Sequence, residues 1–301
     1  MISTKDLRAT GPRRAGGNAP ILAGVTLEIE PGLTCLLGAR DDGGPLLLDV
    51  CAGKVPPRSG EVTVLGKRPA DVRARVAHVP AEVILPEILT VDEVFALGRK
   101  IRSEPAKQHG DLLARLGIAH LAGRRLGSLS QPEIRSVAFA EAVGSDATVL
   151  LLEEPFASTS LETPARLGDI LRERASAGAV VVVATASART PLAFETTWLL
   201  SKGVPFSMNG SEPIALAREA KLRVISPDAR ALAAALAAGD GTDAKGPGLT
   251  LGDGHLVLRG KDILMLSRAL GAAVCRSNAR IVAVVPDLAT TDQLKEAALT
   301  Q

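Results

Sequence analysis

Leu36-Leu37-Gly38-Ala39-Arg40-Asp41-Asp42-Gly43-Gly44-Pro45-Leu46-Leu47-Leu48 is the stretch that decides the fold. An apolar run stops at Gly38, a polar loop follows, and an apolar run resumes at Leu46. That is the pattern of a strand, a tight turn and a helix start. It is the place of a phosphate-binding loop, Gly-x-x-x-x-Gly-Lys-Ser/Thr, and Gly38 and Gly43 keep its spacing. The lysine slot holds Gly44 and the hydroxyl slot holds Pro45. In the motif, lysine reaches the β- and γ-phosphates and the hydroxyl holds Mg²⁺. Both groups are missing, and Pro45 also removes a backbone N–H from the helix start. Asp41 and Asp42 are expected to put two carboxylates into the loop. One like-charge contact at about 4 Å costs about 4 kcal/mol at an effective dielectric of about 20, which is about a thousandfold in affinity. Arg40 is expected to swing in and offset part of that repulsion. The alternative reading of the loop is a glycine-rich turn unrelated to phosphate.

The 301 residues suffice for one large or two modest domains. Apolar residues make up 46% of the chain, enough for a full core, but Trp198 is the one tryptophan and tyrosine is absent, so that core is aliphatic. A net charge of +2 makes no case for nucleic acid. Cys35, Cys51 and Cys275 are odd in number and far apart, as reduced thiols are rather than a disulfide framework. The start, Met1-Ile2-Ser3-Thr4-Lys5-Asp6, lacks a hydrophobic signal core, and the longest apolar run, Ala179 to Ala186, is far short of the ~18 residues of a membrane span. Any membrane role is therefore expected to be peripheral.

In chain order, residues 1–20 read as a polar Gly/Pro/Arg-rich lead-in. Alternation predicts strands at Ile21 to Glu30 and Glu61 to Leu65. Buried strands are predicted at Leu33 to Leu37, Val76 to Pro80, Thr148 to Leu152, Ala179 to Ala184 and Trp198 to Leu200. Helices are predicted at Leu46 to Cys51, Val91 to Arg102, Asp111 to Gly117 and Ile134 to Val143, with another ending about Ser176. Strands alternating with helices indicate a parallel sheet covered on both faces. Beyond about residue 214 the pattern changes. A strand at Lys221 to Ser226 and a helix at Asp228 to Ala238 precede a loop, Gly239 to Gly248. A hairpin about Asp253-Gly254, a helix from Lys261 to Ala273, a strand from Ile281 to Val285 and a helix from Thr291 to Leu299 complete a small α+β domain. Among the histidines, His78, His109, His120 and His255 show no metal-ligand spacing and read as surface or packing residues. Arg13-Arg14 and Arg124-Arg125 read as solvated faces.

The order of motifs resembles the ATP-binding subunit of an ABC transporter, in the drug-export branch that carries a small C-terminal domain. The resemblance is carried by Gly24-Val25-Thr26-Leu27-Glu28 with Pro31-Gly32, by Ala52-Gly53 through Glu61-Val62, and by Leu89-Thr90-Val91-x-Glu93. Leu116-Gly117 with Leu129-Ser130, then Leu150 to Pro155, then Gly203, Gly210 and Pro213 continue it. It implies a P-loop NTPase of the ABC type over residues 1–214, with a helical subdomain at about 82–145, followed by a small α+β accessory domain over 215–301.

Carried over position by position, the resemblance implies a nucleotide set of Gly38, Arg40, Gly43, Gly44, Pro45 and Leu46, with Ser130 in the signature and Ala186 at the switch-histidine position. The adenine-stacking aromatic near residues 10–14 is absent. The signature reads Leu129-Ser130-Gln131-Pro132-Glu133, so Pro132 replaces a glycine and Glu133 adds negative charge. Ala81 stands for the glutamine that senses Mg²⁺, and Ser160 for an aspartate. Glu153 stands for the Mg²⁺-positioning aspartate and is implied as a metal residue only if ATP binds. Glu154 holds the place of the general base; the plainer reading is a carboxylate at a helix start beside Pro155.

These substitutions favour a pseudo-ATPase subunit that docks on a membrane permease or a competent paralogue, as a homo- or heterodimer, with no nucleic acid and no tightly bound cofactor. It would lie in the cytoplasm, peripheral on the inner face of the membrane. The alternatives are an active ATP-hydrolysing exporter subunit, with ATP and Mg²⁺ bound through unusual contacts such as Arg40, and a soluble family member with another partner.

Overall fold

The computed structural model describes residues 1–12, 20–157, 163–187, 190–207, 220–237, 248–260, 263–277 and 279–286. The expectations for Arg13-Arg14, Ser160, Gly210, Pro213, the loop from 239 to 247 and the helix from Thr291 to Leu299 fall outside the described residues. The chain divides into two units, Met1–Asn209 and Gly210–Gln301.

The first unit contains two sheets. In the smaller, β1 (Ile2–Thr10) runs antiparallel between β2 (Ile21–Ile29) and β4 (Ser59–Val64). The polar lead-in expected at residues 1–20 is thus corrected over its first half, where it forms the central strand. Its alternation is hidden because the phase slips. Ile2 and Thr4 are buried, then Leu7 and Ala9, and the register shifts between Thr4 and Leu7 where Asp6 takes φ 43°. An inserted residue of this kind is a β-bulge, and it resets which face each later side chain meets.

The larger sheet has the order β5 (Val76–Val79), β6 (Val149–Glu153), β7 (Val180–Thr185), β3 (Gly32–Leu37), β8 (Thr196–Ser201), β9 (Val204–Ser207). Its first five strands are parallel and β9 returns antiparallel to β8. Every residue of β3, β6 and β7 is buried, as both faces of a parallel sheet must be. Alternation sorts the side chains into two cores. Leu150 and Leu152 pack with α2 (Val91–Arg102), α3 (Gly110–Arg115), α4 (Gln131–Gly144) and α5 (Thr163–Ser176). Val149 and Leu151 pack on the opposite side with α1 (Gly44–Cys51) and the three-stranded sheet.

The second unit is an antiparallel sheet in the order β11 (Gly248–Gly252), β12 (His255–Gly260), β10 (Ala220–Ile225), β13 (Ala283–Pro286). Leu222, Val224, Leu256 and Leu258 bury against α6 (Ala229–Ala237) and α7 (Ile263–Ser277), giving the α+β arrangement that the sequence predicts. Among the described residues, no helix is long and apolar enough to cross a membrane.

Candidate functional site

The carboxyl ends of β3, β6 and β7 lie side by side, with Leu37 paired to Thr185 and Glu153 to Ala184. In open α/β sheets that edge is where ligands bind. Beyond β3 the chain makes a 3-10 turn, Arg40–Asp42, passes through Gly43 at φ 103°, and enters α1 at Gly44. Both motif-spaced glycines are required by close approach within the fold. A Cβ on Gly38 would stand 2.8 Å from the Leu200 carbonyl oxygen, and one on Gly43 2.7 Å from that of Ile21. Gly44 is different, since a Cβ there would meet Ala184 Cβ at an ordinary 3.6 Å.

The structure corrects the expected role of Asp42. Its side chain is buried, and its two oxygens accept hydrogen bonds from the Ala39 and Lys202 N–H groups, each at 2.9 Å. The Gly203 N–H also donates to the Asp42 carbonyl at 2.9 Å. The residue ties the loop to the β8–β9 turn, and its charge is spent on backbone donors. Asp41 stays exposed. Arg40 is not turned in alone as a surrogate lysine. Its guanidinium pairs with Glu82 at 3.0 Å, and both side chains are largely exposed. Leu46, expected among the binding residues, is 2% exposed and belongs to the core around α1.

A cavity of about 90 Å³ lies under the loop. Gly38, Arg40, Gly44 and Pro45 line one side, and Glu153, Glu154, Ala81 and Thr185 the other. Ligand pockets for small molecules run to about 300–1,000 Å³, so this space suits a small polar group. Glu154 is a non-glycine residue at φ 45°, held by its N–H on the Ala184 carbonyl at 2.9 Å. Its two carboxylate oxygens accept from Thr185 Oγ1 at 2.8 Å and the Ala186 N–H at 2.7 Å. Ala186, at the expected histidine position, therefore contributes its amide to Glu154.

Glu153 is 2% exposed. Its Oε2 accepts from the Ala81 N–H at 3.0 Å, and its Oε1 lies 3.7 Å from His78 Nε2. Burial works against its charge, but the His78 ring, the Ala81 amide and Arg40 outweigh that and hold its pKa below the ordinary carboxylate value. Arg135, which the sequence reading missed, is the buried cation behind both acids. It donates to the Ala81 carbonyl, and its Nη2 to the Glu154 carbonyl at 2.8 Å, with its guanidinium 5.3 Å from the Phe139 ring centre. A charge on the apolar side of the Ile134-to-Val143 periodicity was the available signal. His78 was missed too. It sits in a strand of a doubly covered sheet, where even the alternate residue is buried.

Ser130 does not line this cavity. It caps α4, with its N–H and its hydroxyl both donating to Glu133 Oε2 at 2.7 Å. Those bonds hold the Glu133 pKa below its usual value. Burial pushes the Cys35 and Cys51 thiols up to about 12, with Glu154 adding to the effect at Cys35, so neither is a nucleophile at neutral pH. Elsewhere on the first unit Ile84 (93%), Ile88 (76%) and Ile101 (71%) are strongly exposed. Ile84 and Ile101 border an open groove of about 760 Å³ together with Val83, Leu85, Val94 and Ala138.

A family model described as ABC transporter matches residues 22–157. The hemin import ATP-binding protein HmuV of Streptomyces coelicolor is 34% identical over 187 residues, covering 58% of this chain and 67% of the relative. The molybdate/tungstate import ATP-binding protein WtpC of Thermococcus kodakarensis is 32% identical over 198 residues, covering 63% of this chain and 58% of the relative. The ABC transporter G family member 20 of Dictyostelium discoideum is 26% identical over 199 residues, and the chain spans only 27% of its length. Among solved structures, a bacterial ABC transporter cassette determined as a dimer superposes with a TM-score of 0.60 at 20% identity, covering 68% of this chain and 96% of that one.

Proposed function

Since this chain belongs to the ABC transporter ATP-binding family, we propose that it is a pseudo-ATPase member that serves as a docking and regulatory subunit of a transporter. One observation carries the reading. The cavity under the loop is bounded by Glu153 and Glu154, while the positions of the motif's cation and hydroxyl are Gly44 and Pro45. The residues present do not fit a magnesium triphosphate, because among the described residues lining the cavity the cation is Arg40, which Glu82 already pairs. Both oxygens of Glu154 are engaged by the protein, by Thr185 Oγ1 and by the Ala186 N–H, which fixes the carboxylate within the fold.

The groove edged by Ile84 and Ile101 supports docking, as exposed apolar surface of this kind marks interaction sites. We assign it to a membrane permease or a competent paralogue, with the subunit cytoplasmic and peripheral on the inner membrane face, in a homo- or heterodimer. The small C-terminal unit favours the drug-export branch, although two of the relatives are named for import. A second reading, an ATP-hydrolysing subunit with Mg²⁺ at Glu153, draws on Arg40 and Glu154 lining the same cavity.

Thermal unfolding with and without Mg-ATP separates the two. At about one hundred times Kd a ligand specific for the folded state stabilises it by about 2.7 kcal/mol. We expect no shift at millimolar Mg-ATP. A shift of several degrees, with turnover lost in Glu154→Gln, overturns the reading.

A further inference from the structure

Asp49, His78 and Glu153 reach one point from three elements. His78 pairs in register with Leu151 across β5 and β6, and Glu153 lies two residues beyond Leu151. The period of two therefore puts the imidazole and the Glu153 carboxylate on the same sheet face. That face carries Val149 and Leu151 and is covered by α1, which brings Asp49. Asp49 Oδ1 lies 3.9 Å from His78 Nδ1, and Glu153 Oε1 3.7 Å from His78 Nε2. One donor atom from each of the three residues lies within 4.8 Å of the others.

The His78 side chain is 4% exposed, and neither ring nitrogen has a hydrogen-bond partner. A buried polar group without a partner costs about 1–3 kcal/mol, so the ring points to something that would satisfy it. The donor chemistry names the class. One imidazole and two carboxylates suit a borderline divalent ion such as Zn²⁺, whereas Mg²⁺ takes oxygen alone. Two carboxylates also balance the ion's two charges in a buried setting. Zn²⁺ binds nitrogen and oxygen at about 2.0–2.2 Å, which sets tetrahedral donors about 3.4 Å apart; one ion takes one ring nitrogen, so donors as far as 4.8 Å apart must close by up to about 1.4 Å. Asp49, on α1, is the partly exposed member of the three. Glu153 Oε2 remains on the Ala81 N–H, the kind of outer contact that fixes a ligating carboxylate.

We propose that Asp49, His78 and Glu153 form a three-ligand site for a zinc-class divalent cation, leaving a fourth position for water. The site cross-links α1, β5 and β6, and it shares Glu153 with the lining of the loop cavity. The test is metal titration of the full chain after chelator treatment, using Zn²⁺ against a chromophoric competitor and Co²⁺ by its visible ligand-field bands. About one ion per chain is expected, with Mg²⁺ failing to compete. His78→Gln should weaken Zn²⁺ by at least about a hundredfold, since even outer-shell substitutions typically cost 10–100-fold. Asp49→Asn, on the partly exposed side of the site, provides a second loss variant if His78→Gln fails to fold, and exposed His120→Gln should bind as the parent does. Absence of a bound ion, or affinity unchanged in Asp49→Asn and in a folded His78→Gln, overturns the proposal.

Discussion

Replacing Asp42 separates two physical roles for the same carboxylate. A carboxylate facing the phosphate position would be an electrostatic barrier, and removing it would improve anion binding at no cost in stability. The structure instead gives it two backbone donors at 2.9 Å while it is buried. Hydrogen bonds to charged groups contribute about 1.5–3 kcal/mol each, and Asp42→Ala removes both while stranding two N–H groups. A loss of about 3–5 kcal/mol is expected. For a unit of about 200 residues, 1 kcal/mol moves Tm by about 2–4 °C, so the shift should be about 6–20 °C downward. Asp42→Asn keeps one acceptor oxygen but sets an NH₂ against an N–H, and should fall between parent and alanine variant. The assay is intrinsic fluorescence, because Trp198, the chain's one tryptophan, lies on β8 and reports the first unit alone. Unchanged Tm in both variants, or tight Mg-ATP binding gained by Asp42→Asn, would refute the structural role.

Three further outcomes follow from the same geometry. Gly44→Lys with Pro45→Ser restores the cation and hydroxyl, and Gly44 has room for a Cβ; this double variant should gain an ATP-dependent rise in Tm of several degrees, and its absence would show that the missing groups are not what excludes nucleotide. Ile84→Asp with Ile101→Asp should leave Tm within about 2 °C, as exposed substitutions generally do, yet abolish cosedimentation with membranes containing the partner permease. The Glu133 pKa is depressed by its Ser130 bonds, so the cap's contribution is complete above the unfolded value of 4.5 and is lost as pH falls through the lower folded value. Glu133→Gln should therefore lower stability by about 0.5–1 kcal/mol at pH 7 in urea unfolding, and the difference should vanish once pH lies below the depressed folded value.

The residues alone determined the order of strands and helices from Ile21 to Ser201, the parallel sheet, and the absence of the lysine and hydroxyl at Gly44 and Pro45. These are local matters. Hydrophobic period reports which face a segment buries, and a slot in a motif is filled or not whatever surrounds it. The Ser130-x-x-Glu133 spacing was equally a helix-start signal in plain sequence, and the structure uses it so. What escaped was every property set by long-range register. Asp42 turns inward because Lys202, 160 positions away, offers its amide. Glu154 is anchored because β7 ends beside β6. His78, Asp49 and Glu153 converge only because a helix covers one face of two paired strands. Side-chain direction at such points depends on which distant backbone arrives next to it, and one-dimensional spacing carries no record of that.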